Sequence, residues 1–414
     1  MKVFLQPALN DINLDATQPN SQRQLAVSIS AIANDKLRNV PLNLCLILDQ
    51  SGSMKGEPIE MVKKAALKLV DKLEPCDRLS IVVFAHRAKI LVPNQYVEDP
   101  GYIKRQIERL YAEGGTSIDE GLKLGVEELG KGKKEAISQA FLLTDGENEH
   151  GDNDRCLKLA QLAASYNLTL NTLGFGDYWN QDILEKIADG GGGSLSYIQK
   201  SDQVVEEFGR LFNRIQTVEL TNAYLLLSLM PKVRLAELKP IAQVAPDTIE
   251  LPLQQDTYGR YTVRLGDLMK DVQRVVLANI YVGQLPEGKQ TIASIQVCYD
   301  DPAINQSGLM SDTISIEVNV MRNYQPQVDS QVQQYILALG KYRQTQLAEA
   351  KLQQGDRAGA ATMLQTAAKT ALQMGDKGAA TVLQTSATRL QSGEELSESD
   401  RKKTRIVSKT ILQE

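Results

Sequence analysis

The chain has 414 residues, 42% hydrophobic and 23% charged, which is enough apolar matter for two or three ordinary globular cores. Its formal net charge of -5 offers no overall attraction to nucleic acid or to an anionic membrane, and no stretch approaches the eighteen or so apolar residues that a membrane span needs. Four cysteines with no CxxC pair read as reduced thiols, and the opening MKVFLQP lacks the charge and apolar run of an export signal, so a cytoplasmic protein is expected.

In chain order, residues 3–9 and 24–33 alternate apolar and polar, the pattern of half-buried strands. The period then changes. Continuous apolar runs at 42–48, 78–85, 140–143 and 168–175 alternate with amphipathic stretches at 58–73, 99–110, 117–129, 154–166 and 181–188, which predicts buried parallel strands covered by helices on both faces. The run Gly190 to Gly193 reads as a flexible loop before a last strand at 194–198, and a closing helix is expected near 202–216. The predicted fold is therefore α/β, a doubly wound, mostly parallel sheet.

Alternation returns at 219–230, 248–252, 259–265, 274–282, 290–299 and 313–321. Two N-terminal strands alone cannot bury a face. One β-sandwich built from both flanks is expected, residues 1–37 and 218–322, with the α/β domain (38–217) inserted at a loop whose ends lie close together.

From about residue 323 the composition turns to Gln- and Ala-rich helix. A helix at 327–353 stops at Gly355, and Gly355-Asp356 is echoed by Gly375-Asp376, each pair a helix stop followed by an N-cap. Residues 323–392 are expected to form a short helical bundle, either a lid on the sandwich or a surface for a partner. The end, 393–414, runs from acidic to basic and is predicted to be a flexible tail. A sharper reading makes it a regulatory motif. Phosphate on Thr404, with Thr410 as a second candidate, would sit among Arg401, Lys402, Lys403 and Arg405, and Val407 resembles the side chain read by forkhead-associated phosphothreonine domains.

The chemistry lies on three loops, each after an apolar segment, where open α/β sheets place ligands. They are Asp49-Gln50-Ser51-Gly52-Ser53, Gly114-Gly115-Thr116-Ser117 and Thr144-Asp145-Gly146. The polar set is all oxygen, and oxygen ligands select Mg²⁺, Mn²⁺ or Ca²⁺ over zinc. In order and spacing, DxSxS followed by Thr and then Asp resembles the metal-ion-dependent adhesion site (MIDAS) of the von Willebrand factor A (VWA) family, over about residues 38–217, in an intracellular bacterial form. The resemblance implies Ser51 and Ser53 as direct ligands, Asp49 mainly through water, and Thr116 and Asp145 directly or through water. It further implies a protein partner whose Asp or Glu fills the open position, with Mg²⁺ the first choice of ion and Ca²⁺ or Mn²⁺ the others.

Three functions are weighed: a cation-dependent protein-binding module, a cation-responsive regulatory subunit of a larger assembly such as an AAA+ ATPase, and a metal-dependent hydrolase. The last is the weakest, since the chain has no GxSxG, no Walker loop and only two histidines, His86 and His150, far apart in sequence. No catalytic residue is expected. His150 belongs to an acidic loop, 147–154, that should rim the metal, and reads as an exposed loop residue or as a partner contact or pH-sensitive gate. The same carboxylates lack the EF-hand spacing for a second Ca²⁺.

Overall fold

The computed structural model describes residues 2–32, 40–134, 136–270 and 272–409. Its inserted domain is a six-stranded sheet in the order Ala88–Tyr96, Arg78–Phe84, Leu42–Asp49, Ile137–Thr144, Thr169–Phe175, Gly192–Ile198. All neighbours are parallel except the edge strand Ala88–Tyr96, which runs antiparallel. Every residue of Leu42–Asp49 and Ile137–Thr144 is buried, as continuous apolar strands between two helical layers must be. Helices Glu57–Val70, Pro100–Glu108 and Val204–Ile215 share one apolar core with the sheet; Ile118–Lys131, Asn153–Ser165 and Gln181–Gly191 share the other.

The two flanks do form one sandwich. Its six-stranded sheet pairs Val3–Leu9 with Asn20–Ala31 and that strand with Arg274–Gly283, so the N-terminal residues lie beside strands some 250 positions later. In the seven-stranded sheet Asn13–Asp15 adds in parallel to Ile314–Met321. The inner faces meet in a core of Leu25, Val27, Ile29, Leu225, Val263, Val276, Ile295 and Val318. The ends of the insertion come together at Lys270. That residue bridges Ala31, where the chain leaves the sandwich, and its backbone N–H donates to Thr217 O, where the chain returns. The expected boundary at 37/38 lies outside the described residues.

A buried polar network joins the domains. The Asp267 carboxylate accepts from Gln139 Nε2 (2.6 Å) and Thr169 Oγ1 (2.8 Å), both at the foot of the α/β sheet. Helix Ser330–Gln353 lays Val332, Leu339 and Tyr342 on Val244, Val275 and Leu277 of the sandwich. Arg357–Gln373 and Lys377–Gln391 pack behind it through alanines. Asp329, Asp356 and Asp376 cap the three helices, and Gly355 and Gly375 take the positive φ that ends each preceding one.

Three expectations are corrected. The edge strand Ala88–Tyr96 and the buried Ile241–Ala245 carry no clear alternation and were not predicted, while the predicted strand 248–252 reduces to Ile249–Glu250. Gly190 to Gly193 is no loop. Gly190 and Gly191 end a helix, Gly192 caps it at φ 74°, and Gly193 already lies in the next strand, where a Cβ would stand 2.1 Å from Leu170 O. The third correction is the tail: residues Glu398–Lys409 form a fourth helix, packed against the inserted domain, because its basic side chains meet a matching acidic helix there.

Candidate metal centre

Strand Leu42–Asp49 ends on a carboxylate that is wholly buried, and both of its oxygens are occupied. Oδ1 accepts the Ser51 backbone N–H at 2.7 Å, and Oδ2 accepts the Thr144 hydroxyl at 2.5 Å. Asp49 is thus locked beneath the loop, which suits a carboxylate that reaches an ion through water. The motif reading overlooked Thr144, and its position immediately before Asp145 was the available signal.

Above Asp49 the three oxygens form a short chain. Ser51 Oγ lies 3.0 Å from Ser53 Oγ, and Ser53 Oγ donates to Asp145 Oδ1 at 2.7 Å. Neighbouring ligands of an octahedral Mg²⁺ ion, each about 2.1 Å from the metal, are about 2.9 Å apart. The spacings found therefore match edges of such a shell. Thr116, buried at 3% exposure, stands on the other side of Gly146, where a Cβ would lie 3.3 Å from its hydroxyl. All five residues read from the motif come to one edge of the sheet, and the residues present fit a hard divalent cation.

The loops are tied to one another by backbone bonds: Gly52 N–H to Gly114 O (2.8 Å), Glu113 N–H to Gln50 O (2.7 Å) and His150 N–H to Thr116 O (3.1 Å). Asn148 Oδ1 accepts the Ile118 N–H (2.7 Å), which caps the helix that starts just after Thr116. Burial pushes the Asp49 carboxyl up to about 6 against the hydrogen bonds from Thr144 and Ser51, and it raises Asp145 as well. A bound cation reverses that penalty. Among the described residues no cluster of three or more His, Cys, Asp or Glu is arranged to hold an ion, so this centre depends on hydroxyls with only two carboxylates.

His86 and His150, the chain's only histidines, stack on each other at the rim with ring centroids 4.7 Å apart. They sit over Gly115, where a Cβ would meet His150 Cδ2 at 2.5 Å and His86 Cε1 at 2.8 Å. Sequence distance gave no hint of this contact.

Thr404 is different. It is buried at 6% exposure with Oγ1 2.9 Å from Ser386 Oγ, and Lys402 and Arg405 point at other partners. Thr410 lies outside the described residues.

Two family models match parts of the chain. The von Willebrand factor type A domain matches residues 43–210, and an Sll0103-like C-terminal alpha-helical domain matches residues 330–414. The chain is 59% identical over 413 residues to "Uncharacterized protein sll0103" of Synechocystis sp., covering 100% of this chain and 98% of that one. It belongs to the Sll0103-like family of VWA-domain proteins. The VWA region is also 30% identical to YfbK of Escherichia coli, over 44% of this chain and 33% of that protein. Among solved structures, the von Willebrand factor type A protein from Catenulispora acidiphila superposes over 100% of this chain and 98% of its own, with TM-score 0.84 and 18% identity. The ArnB paralog VWA2 from Sulfolobus acidocaldarius covers 99% of this chain and 98% of its own at TM-score 0.59 and 16% identity, and these two likenesses speak to the fold. The VWA fold with its C-terminal helical domain of four helices is thereby shared along the whole chain.

Proposed function

We propose that this Sll0103-like chain is a divalent-cation-dependent protein-binding module in which Ser51, Ser53, Thr116 and Asp145 hold the ion and Asp49 supports it through water. The observation that carries the reading is the Ser51–Ser53–Asp145 chain of oxygens at 3.0 and 2.7 Å, spaced as edges of a small cation's octahedron. Such a donor set, mostly neutral hydroxyls, leaves the cation electrophilic, so it favours an anionic ligand from outside, the Asp or Glu of a partner protein. VWA domains commonly serve protein interaction, and the loop positions Gly52 and Ser53 are exposed. Mg²⁺ fits these short edges best, with Mn²⁺ or Ca²⁺ the other candidates.

The reading is of a binding protein and not an enzyme. A cytoplasmic setting goes with it, supported by four free cysteines, of which Cys45 and Cys156 are buried with thiols pushed up to about 12 by desolvation. No helix among the described residues is long and apolar enough to cross a membrane.

The test is calorimetric titration of chelator-stripped full-length protein with Mg²⁺, Mn²⁺ and Ca²⁺, beside Asp49→Ala. Binding that disappears in the variant supports the site, and the order of the ions names the metal. If none of the three ions binds the wild-type chain, or if the partner is retained equally in Mg²⁺ and in EDTA, the bridging reading fails.

A further inference from the structure

The terminal helix Glu398–Lys409 and the VWA helix Gln181–Gly191 carry complementary charges with the same spacing. Lys402, Arg405 and Lys409 fall at steps of three and four along the first, and Asp182, Glu185 and Asp189 fall at steps of three and four along the second. Residues so spaced share one face of a helix. The pairs are made. Arg405 Nη1 contacts Asp182 and lies 3.1 Å from Glu349 of the helical domain, and Arg405 Nε lies 2.6 Å from Glu185. Lys409 Nζ stands 2.8 Å from Glu185 and 3.0 Å from Asp189.

The third cation points elsewhere, toward the metal-site edge of the sheet. Lys402, 1% exposed, donates to the Asp177 carbonyl at 2.5 Å and sits 4.2 Å from the centre of the Trp179 ring, on the loop that follows strand Thr169–Phe175 and so lies next to the loop carrying Asp145. Trp179 in turn donates to Gly176 O at 2.7 Å and packs where a Gly174 side chain would be, 2.2 Å from the ring. The loop between Phe175 and Gln181 thus depends on the terminal helix for its cover.

Ion pairs of this kind hold a helix in place only while both partners are present, since a half-buried charge left without its partner is destabilising. The buried side chains of the helix are polar or charged, Lys402, Thr404 and Ser408, and its apolar contribution is the partly buried Val407 against the helical domain, so charge pairing carries much of its docking.

We propose that the terminal helix is a detachable clasp on the VWA domain, held by this charge ladder, with Lys402 as a positioning residue that sets the Asp177–Trp179 loop beside the metal site. Docking of the clasp and loading of the metal site are therefore thermodynamically coupled. The coupling rests on the metal-binding reading above, whereas the clasp itself does not. Linkage requires the effect to be mutual: what tightens the clasp also tightens the ion.

Trp179 is the chain's only tryptophan, so its emission reports the clasp directly. The experiment compares full-length wild type with Arg405→Glu/Lys409→Glu, and with the same pair combined with Asp182→Arg/Glu185→Arg/Asp189→Lys, which restores opposite charges between the two helices. It reads Trp179 emission, and hydrogen exchange of residues 398–409, with and without Mg²⁺. The expected result is red-shifted emission and at least about tenfold faster exchange in the double variant, reversed in the combined charge-swap variant. The rescue shows that the loss is electrostatic and not a general failure to fold.

Wild-type emission and exchange retained in the double variant would overturn the clasp. In wild type, Mg²⁺ is expected to slow exchange of 398–409 severalfold, with no such effect in Asp49→Ala. If calorimetry shows Mg²⁺ binding yet exchange of 398–409 is unmoved, the coupling is overturned and the metal site stands. If no ion binds at all, the metal reading and the coupling fall together, and the charge-swap result still decides the clasp.

Discussion

Thr144 Oγ1 donates to Asp49 Oδ2 at 2.5 Å in a wholly buried contact between the ends of two neighbouring parallel strands. It places a neutral donor beneath the site's most buried carboxylate and fixes that carboxylate's direction. Thr144→Val keeps the shape and removes the donor. Supporting hydrogen bonds of this kind are worth about 10- to 100-fold in metal affinity, so a loss of that size is expected in calorimetry, with the secondary structure unchanged by circular dichroism.

The same burial predicts a pH dependence. In metal-free protein the Asp49 carboxyl stands at about 6 against an ordinary 3.8, so between those values the folded state holds a proton that the unfolded chain does not. Stability in EDTA should therefore fall, by about 3 kcal/mol, as pH rises from about 4 to about 6, and stay level above. Ion binding needs the carboxylate. Mg²⁺ affinity should rise up to about tenfold per pH unit below 6 and flatten above 7. Thermal melting in EDTA and in Mg²⁺ from pH 4.5 to 7.5 checks both, and a gap between the two curves that does not widen with pH would remove Asp49 from the site.

Gly193 and Gly190 stand three residues apart with opposite demands. A Cβ at Gly193 collides with the Leu170 carbonyl at 2.1 Å, in backbone that cannot step aside, whereas at Gly190 the nearest atom is the Ala160 Cβ at 3.7 Å. Gly193→Ala is expected to cost about 3 kcal/mol or more in chemical denaturation, and Gly190→Ala, in a helix, to be neutral or to stabilise by up to about 1 kcal/mol.

Asp356 and Asp376 cap successive helices in the same way, accepting from Gly359 and Ala379 at 2.8 and 2.9 Å. Only Asp376 also faces the fully buried Lys341, at 3.4 Å. Asp356→Ala should cost about 1 kcal/mol, the worth of a cap. Asp376→Ala should cost about 3 kcal/mol, because burial already pulls Lys341 below its usual value and the variant removes a compensating charge. Equal losses in the two variants would show that Lys341 does not rely on Asp376.

Most of the architecture was legible in the residues. The strands of the VWA sheet are continuous apolar runs and the sandwich strands alternate, and that difference in period separates a sheet covered on both sides from one exposed on one. The helix stops at Gly355 and Gly375 and the caps after them follow from local chemistry alone. The edge strand Ala88–Tyr96 was hidden because an edge buries little and contains Pro93, and the glycine run misled because two of its members are required by packing against Leu170 and not by a turn.

The tail shows the limit most plainly. Arg401 to Lys409 reads as a solvated charge run because its docking partners Asp182, Glu185 and Asp189 lie more than two hundred positions earlier. The stacking of His86 on His150 and the support of Asp49 by Thr144 are of the same kind. Local period, capping and motif spacing are properties of adjacent residues, so the sequence by itself determined most element types, the insertion of one domain in another and the five oxygen-bearing residues of the candidate site. Which distant charges cancel, which hydroxyl sits under which carboxylate and which helix covers which loop depend on contacts between segments far apart in the chain, and only the tertiary structure decided them.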